Sequence, residues 1–105
     1  MIDNSLSISE EISDNKAIKL IIKGPVSSSN AEILKRRLDK DLNAGWKRII
    51  LKMQDVSILA SGGIRVLLMY HKIFSGRGIS FYIEDPSESV RNVIGMVALD
   101  EMLLK

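Results

Sequence analysis

A helix that is apolar almost all the way round leaves a chain few ways to fold. Ile64 to Ser75, projected at about 100° per residue, leaves only a narrow polar arc. Arg65 and Lys72 centre that arc, with His71 and Ser75 toward one apolar border and Met69 near the other. Such a helix must be buried along most of its girth. An apolar run, Arg48 to Met53, precedes it and another, Ile79 to Ile83, follows it. The unbroken Ile49-Ile50-Leu51 suits a central strand buried on both faces. Strand, helix and strand in this succession close as a right-handed crossover between parallel strands.

The flanking segments extend the pattern. Leu6, Ile8 and Ile12 alternate imperfectly with Ser and Glu, as in an edge strand with one solvated face. Ser13-Asp14-Asn15-Lys16 reads as a hairpin turn into a second strand, Ala17 to Lys23, with Ile18, Leu20 and Ile22 on one face. Ser29 and Glu32 have capping-box spacing, and Ala31, Leu34, Leu38 and Leu42 then recur at helical intervals until Gly45. Trp46 is expected as a lid on the end of the sheet. Asp85-Pro86-Ser87-Glu88 predicts an acid-capped third helix with Pro at its first position, which Gly95 would divide into two short pieces. The order β-β-α-β-α-β-α predicts a single α/β domain over residues 1–105. Its mixed sheet of four to five strands would carry about four helices, packed mainly on one side.

Composition narrows the chemistry. A chain of 105 residues with 46% hydrophobic content is one domain, able to bury roughly two-thirds of its unfolded surface. There is no cysteine, hence no disulfide, thiolate nucleophile or cysteine zinc site. Met1-Ile2-Asp3-Asn4-Ser5 has neither a basic start nor an apolar run, and no apolar stretch approaches a membrane span, so a cytoplasmic location without membrane insertion is expected. The net charge is only +2. Lys35-Arg36-Arg37 stands at helical spacing from Glu32, Asp39 and Asp41, as a solvated face does, and five aromatic residues offer no stacking platform. Nucleic-acid binding is not expected. His71, the one histidine, lies ten positions beyond Ser61 on the predicted helix, about 15 Å away. A serine triad is excluded, no cofactor site is evident, and the protein is not expected to be an enzyme.

The remaining feature lies between strand and helix, in Val56-Ser57-Ile58-Leu59-Ala60-Ser61-Gly62-Gly63-Ile64. Ser61 is placed at the N-cap, where outward N–H groups and the helix dipole favour negative charge; a cap alone, or a phosphate acceptor, would account for it. Ala60-Ser61-Gly62-Gly63-Ile64-Arg65 resembles the signature segment of STAS domains, which in stand-alone anti-sigma-factor antagonists reads Asp-Ser-Ser-Gly-Leu-Gly with the first Ser phosphorylated by a partner kinase. Gly24-Pro25-Val26-Ser27 resembles the family's earlier loop, and Ile94 to Asp100 its terminal stretch, so the likeness runs from about Ala17 to Leu104. Three family acids are missing: Ala60, Ser27 and Lys52 occupy their positions.

The resemblance implies an anti-sigma-factor antagonist that binds an anti-sigma factor with serine-kinase activity and is switched off by phosphorylation at Ser61. Partner contacts are expected from Ser27, Ser28, Ser29, Ala60, Gly62, Gly63, Arg65, Met69 and Lys72. Gly62 and Gly63 would either admit a partner closely or serve the tight start of the helix. Arg65 would either clasp a phosphate or be an ordinary surface arginine. The lost acids keep two alternatives open. One is a STAS scaffold that is not phosphorylated, stressosome-like or transporter-associated; the other is a module binding a nucleotide or similar anion over the Ser27 and Ser61 loops. The oligomeric state is left open.

Overall fold

The computed structural model describes residues 5–13 and 16–96. Seven elements follow one another: β1 (Ser7–Ser13), β2 (Ala17–Val26), α1 (Ala31–Leu42), β3 (Arg48–Leu59), α2 (Ser61–Gly76), β4 (Ser80–Glu84) and α3 (Glu88–Met96). The strands form one sheet in the order β1-β2-β3-β4, antiparallel between β1 and β2 and parallel elsewhere. This is the expected mixed sheet with an antiparallel hairpin at its start. Three helices stand among the described residues. The second piece expected beyond Gly95 falls outside them, whereas Gly95 itself lies within α3.

Register explains where the core sits. Ile18, Ile49 and Phe81 are partners across three strands, as are Leu20, Leu51 and Ile83, so these side chains share one face. All three helices bury their apolar residues against that face. Leu34 and Leu38 come from α1, Val66, Leu67, Tyr70 and Phe74 from α2, and Val90 and Ile94 from α3. Phe74 packs on Phe81 with ring centroids 5.1 Å apart and on Tyr70 at 5.7 Å. Each fully buried large side chain contributes about 1.5–3 kcal/mol. The second face carries Lys19, Ile50 and Tyr82 in one row and Ile21, Lys52 and Glu84 in the next. Ile50 is buried there, and on the same face Lys19 pairs with Glu84 at 2.8 Å. Trp46 is half-buried against the core.

Three local expectations are corrected. First, β3 does not end near Met53 but runs to Leu59. Two register shifts against β2 place an extra β3 residue after Lys52 and another after Val56. These bulges stretch the buried spacing from two residues to three, at Met53, Val56 and Leu59, so alternation ceases although pairing continues. Second, Ser29 does not form a capping box. Asn30 precedes α1, its Oδ1 accepting the Ser27 N–H at 2.8 Å and its Nδ2 donating to the Pro25 carbonyl at 2.9 Å. Third, Ser87 rather than Asp85 caps α3: its Oγ accepts the Val90 N–H at 3.1 Å and donates to the Val56 carbonyl at 2.7 Å. Asp85 sits outside the helix at φ 49°.

Gly24 has a backbone reason to be glycine. Its φ is 96°, and a Cβ there would lie 2.6 Å from the Ser5 carbonyl oxygen.

Candidate partner-binding site

Because β2 and β3 are parallel, the loops that leave them emerge at the same end of the sheet, where ligands and partners meet such folds. The Ala60 N–H donates to the Val26 carbonyl at 2.8 Å and ties the two loops together. The two segments singled out in the sequence are therefore neighbours. α2 passes so close to the first loop that a Cβ on Gly62 would lie 2.9 Å from the Ser28 Cα.

Ser61 is the first residue of α2 rather than its N-cap. Ala60 takes the cap position with an extended backbone, ψ 171°, and offers no side-chain cap. The Ser61 side chain is exposed, and its hydroxyl makes no hydrogen bond among the described residues. A serine that only capped would accept an N–H from the first turn. This one is left available on a turn whose backbone donors lack helical acceptors.

Beside it lies a groove of about 330 Å³ between α1 and α2. Ser28, Ala31, Glu32 and Lys35 form one wall, and Ser61, Gly62, Arg65, Val66 and Met69 the other. At its far end the buried Tyr70 hydroxyl donates to the Asp39 carboxylate and joins the two helices. That hydrogen bond holds Asp39 below the usual carboxylate range, while burial, reinforced by Asp39, raises the Tyr70 phenol. Lys35 pairs with Asp39 at 3.3 Å and Arg36 with Glu32 at 3.6 Å, each one helical turn apart, as the sequence spacing predicted.

Of the expected contact residues, the groove gathers Ser28, Ser61, Gly62, Arg65 and Met69. Lys72 continues the exposed side of α2 beyond it. Ser27 and Ser29 bond each other through their hydroxyls at 2.9 Å. Gly63 is corrected outright: it is buried, and a Cβ would lie 2.6 Å from Val26 Cγ1 and 2.8 Å from Leu59 Cδ1. Its place is packing, not contact with a visitor. Sequence reasoning missed Ala31, Glu32, Lys35 and Val66. The first three stand at i, i+1 and i+4 on α1 and could have been read as one face following Ser28.

α2 is continuous from Ser61 to Gly76, so His71 stays far along it, half-buried with its ring 6.5 Å from Phe81. Among the described residues no cluster of His, Asp and Glu could hold a metal ion, and no helix is long and apolar enough to cross a membrane.

Residues 8–105 match the STAS domain family. The chain belongs to that family. Its sequence is 31% identical over 75 residues to a candidate anti-sigma factor antagonist of Thermotoga maritima, a match covering 70% of this chain and 66% of that one. The match thus spans slightly under two thirds of the relative's length. The fold superposes on an anti-sigma factor antagonist from Mycobacterium paratuberculosis with TM-score 0.87 and 16% identity, covering 98% of this chain and 86% of the other. It also superposes on the Bacillus cell fate determinant SpoIIAA in its phosphorylated form, with TM-score 0.73, 15% identity, and coverage of 93% and 89%. The architecture is that of an anti-sigma-factor-antagonist-like STAS domain.

Proposed function

We propose that this STAS domain is a non-enzymatic regulator that binds an anti-sigma factor with serine-kinase activity and is switched off by phosphorylation of Ser61. The observation that carries the reading is the Ser61 hydroxyl, exposed and without a hydrogen-bond partner on the first turn of α2. It is supported by the likeness to SpoIIAA, solved in a phosphorylated form, and by the Thermotoga relative. The setting is cytoplasmic, where kinase and sigma factor are found.

Phosphorylation adds about two negative charges and three acceptor oxygens at the rim of the groove. The fold tolerates them, because the helix N-terminus stabilises an anion by about 0.3–1 kcal/mol. A partner seated on the groove does not, since it must desolvate or repel the new charge. Intact-mass measurement after incubation with ATP and an anti-sigma-factor kinase from the same genome tests this. One added phosphate on the wild type and none on Ser61→Ala is expected. No addition, or the same addition to both, rejects it.

A second reading is favoured by Ala60, Ser27 and Lys52 standing where the family carries acids. If the kinase requires those carboxylates, the domain acts as a partner-binding scaffold without phosphate control. Binding would then be indifferent to Ser61→Asp.

A further inference from the structure

α1 and α2 present opposite electrical designs along the same groove. On α1, Lys35, Arg36 and Arg37 each have a carboxylate one turn away. On α2 there is none to match Arg65 and Lys72, and the sequence has no Asp or Glu at all between Asp55 and Glu84. Neither Arg65 nor Lys72 makes an ion pair or side-chain hydrogen bond among the described residues. Both are exposed, and Met69, 38% exposed, lies between them on the same side of the helix. The groove's own acid, Glu32, is engaged by Arg36, and Asp39 by Lys35 and Tyr70.

From this charge pattern we infer that the α2 stripe and the adjoining groove receive an acidic, amphipathic segment of a protein partner, read by Arg65 and Lys72 and anchored apolarly by Met69. Cations about one turn to either side of a methionine suit a pair of carboxylates about two helical turns apart that flank an apolar residue. Nucleic acid fits less well, because the stripe exposes no aromatic ring on which a base could stack. The inference rests on the reading of the Ser61 surface as a partner-binding face, and it supplies a logic for the switch. Ser61 and Arg65 stand one turn apart on α2, so a phosphate on Ser61 takes up the guanidinium that a partner carboxylate would otherwise hold.

The test is a titration of the full chain, followed through backbone amide NMR shifts, with a synthetic peptide of repeated Leu-Glu-Glu-Leu and its Lys-for-Glu counterpart. Shifts confined to the Ser28, Lys35, Arg65, Met69 and Lys72 neighbourhood are expected with the acidic peptide alone, fading as salt is raised. The doubly reversed variant, Arg65→Glu with Lys72→Glu, should bind it about tenfold or more weakly. Both positions are exposed, and an undisturbed amide spectrum verifies the variant's fold. The inference is overturned by the absence of shifts at millimolar peptide, by shifts gathered elsewhere, by binding that survives the double reversal, or by a single-stranded oligonucleotide that moves the same amides more strongly. Phosphate uptake at Ser61 is read independently by mass. A chain phosphorylated there that ignores the acidic peptide keeps the switch and loses this partner chemistry, and the converse result does the reverse.

Discussion

The two ends of the α1–α2 layer treat their polar groups in opposite ways. Where α1 meets β1, Arg37 holds both the Glu10 carboxylate and, at 3.3 Å, Asp41, which is only 2% exposed. The hydrogen bond from Arg37 holds Glu10 below the usual carboxylate range, while burial pushes Asp41 above it. At the other end, Ser61 and Arg65 have no such partners among the described residues. One end locks the edge strand to a helix; the other keeps hydroxyl and charge available. Polar groups spent on the fold cannot also be offered to a partner, and the proposed function assigns that second task to the open end.

Breaking the closed end should cost the most. Arg37→Met leaves Asp41 buried without its cation, and a loss of about 3 kcal/mol in urea unfolding is expected. A loss under 1 kcal/mol would erase the contrast between the ends. Gly62→Val comes next: its side chain must displace the Ser28 backbone, which should cost about 1–3 kcal/mol and shift the Ser28 and Ala31 amides. A neutral result would mean the two loops can separate freely.

Acidity sharpens the same comparison. Glu10 and Asp39 have lowered folded pKa values, so the stability they give is present above the usual carboxylate range and lost as pH falls through those values. Melting temperature should drop on acidification, and Glu10→Gln or Asp39→Asn should flatten the drop. Asp41 runs the other way. Its raised value gives stability below the usual range that is lost as pH rises through it, so Asp41→Asn should remove an opposing slope. The smallest effects belong to the open end: Ser61→Ala and Arg65→Ala should each stay within about 0.5 kcal/mol of wild type. A larger loss from Ser61→Ala would mean that its hydroxyl serves the fold.

Much of this was legible in the sequence where a single period governs. The near-continuous apolar helix identified α2 and its parallel neighbours, and the i,i+4 charges of α1 formed the pairs their spacing implied. Legibility failed where geometry changes within an element. The β3 bulges replace a period of two by three and hide the stretch to Leu59. Helix starts misled because Asn30 turns back to Ser27 and Pro25, and because Ser87, not Asp85, reaches the Val90 N–H. At the site, Ser61 and Arg65 were readable from one motif. The opposing wall of Ala31, Glu32 and Lys35 required two helices to be set side by side, which no local pattern encodes.

The most direct measurement compares the affinity of the cognate anti-sigma factor for the unmodified chain with its affinity for the chain carrying one phosphate at Ser61, by calorimetry. Tight binding that the phosphate abolishes, with the melting temperature of the domain nearly unchanged, is the predicted result. Equal affinity of the two forms would contradict the claim that this hydroxyl is the switch.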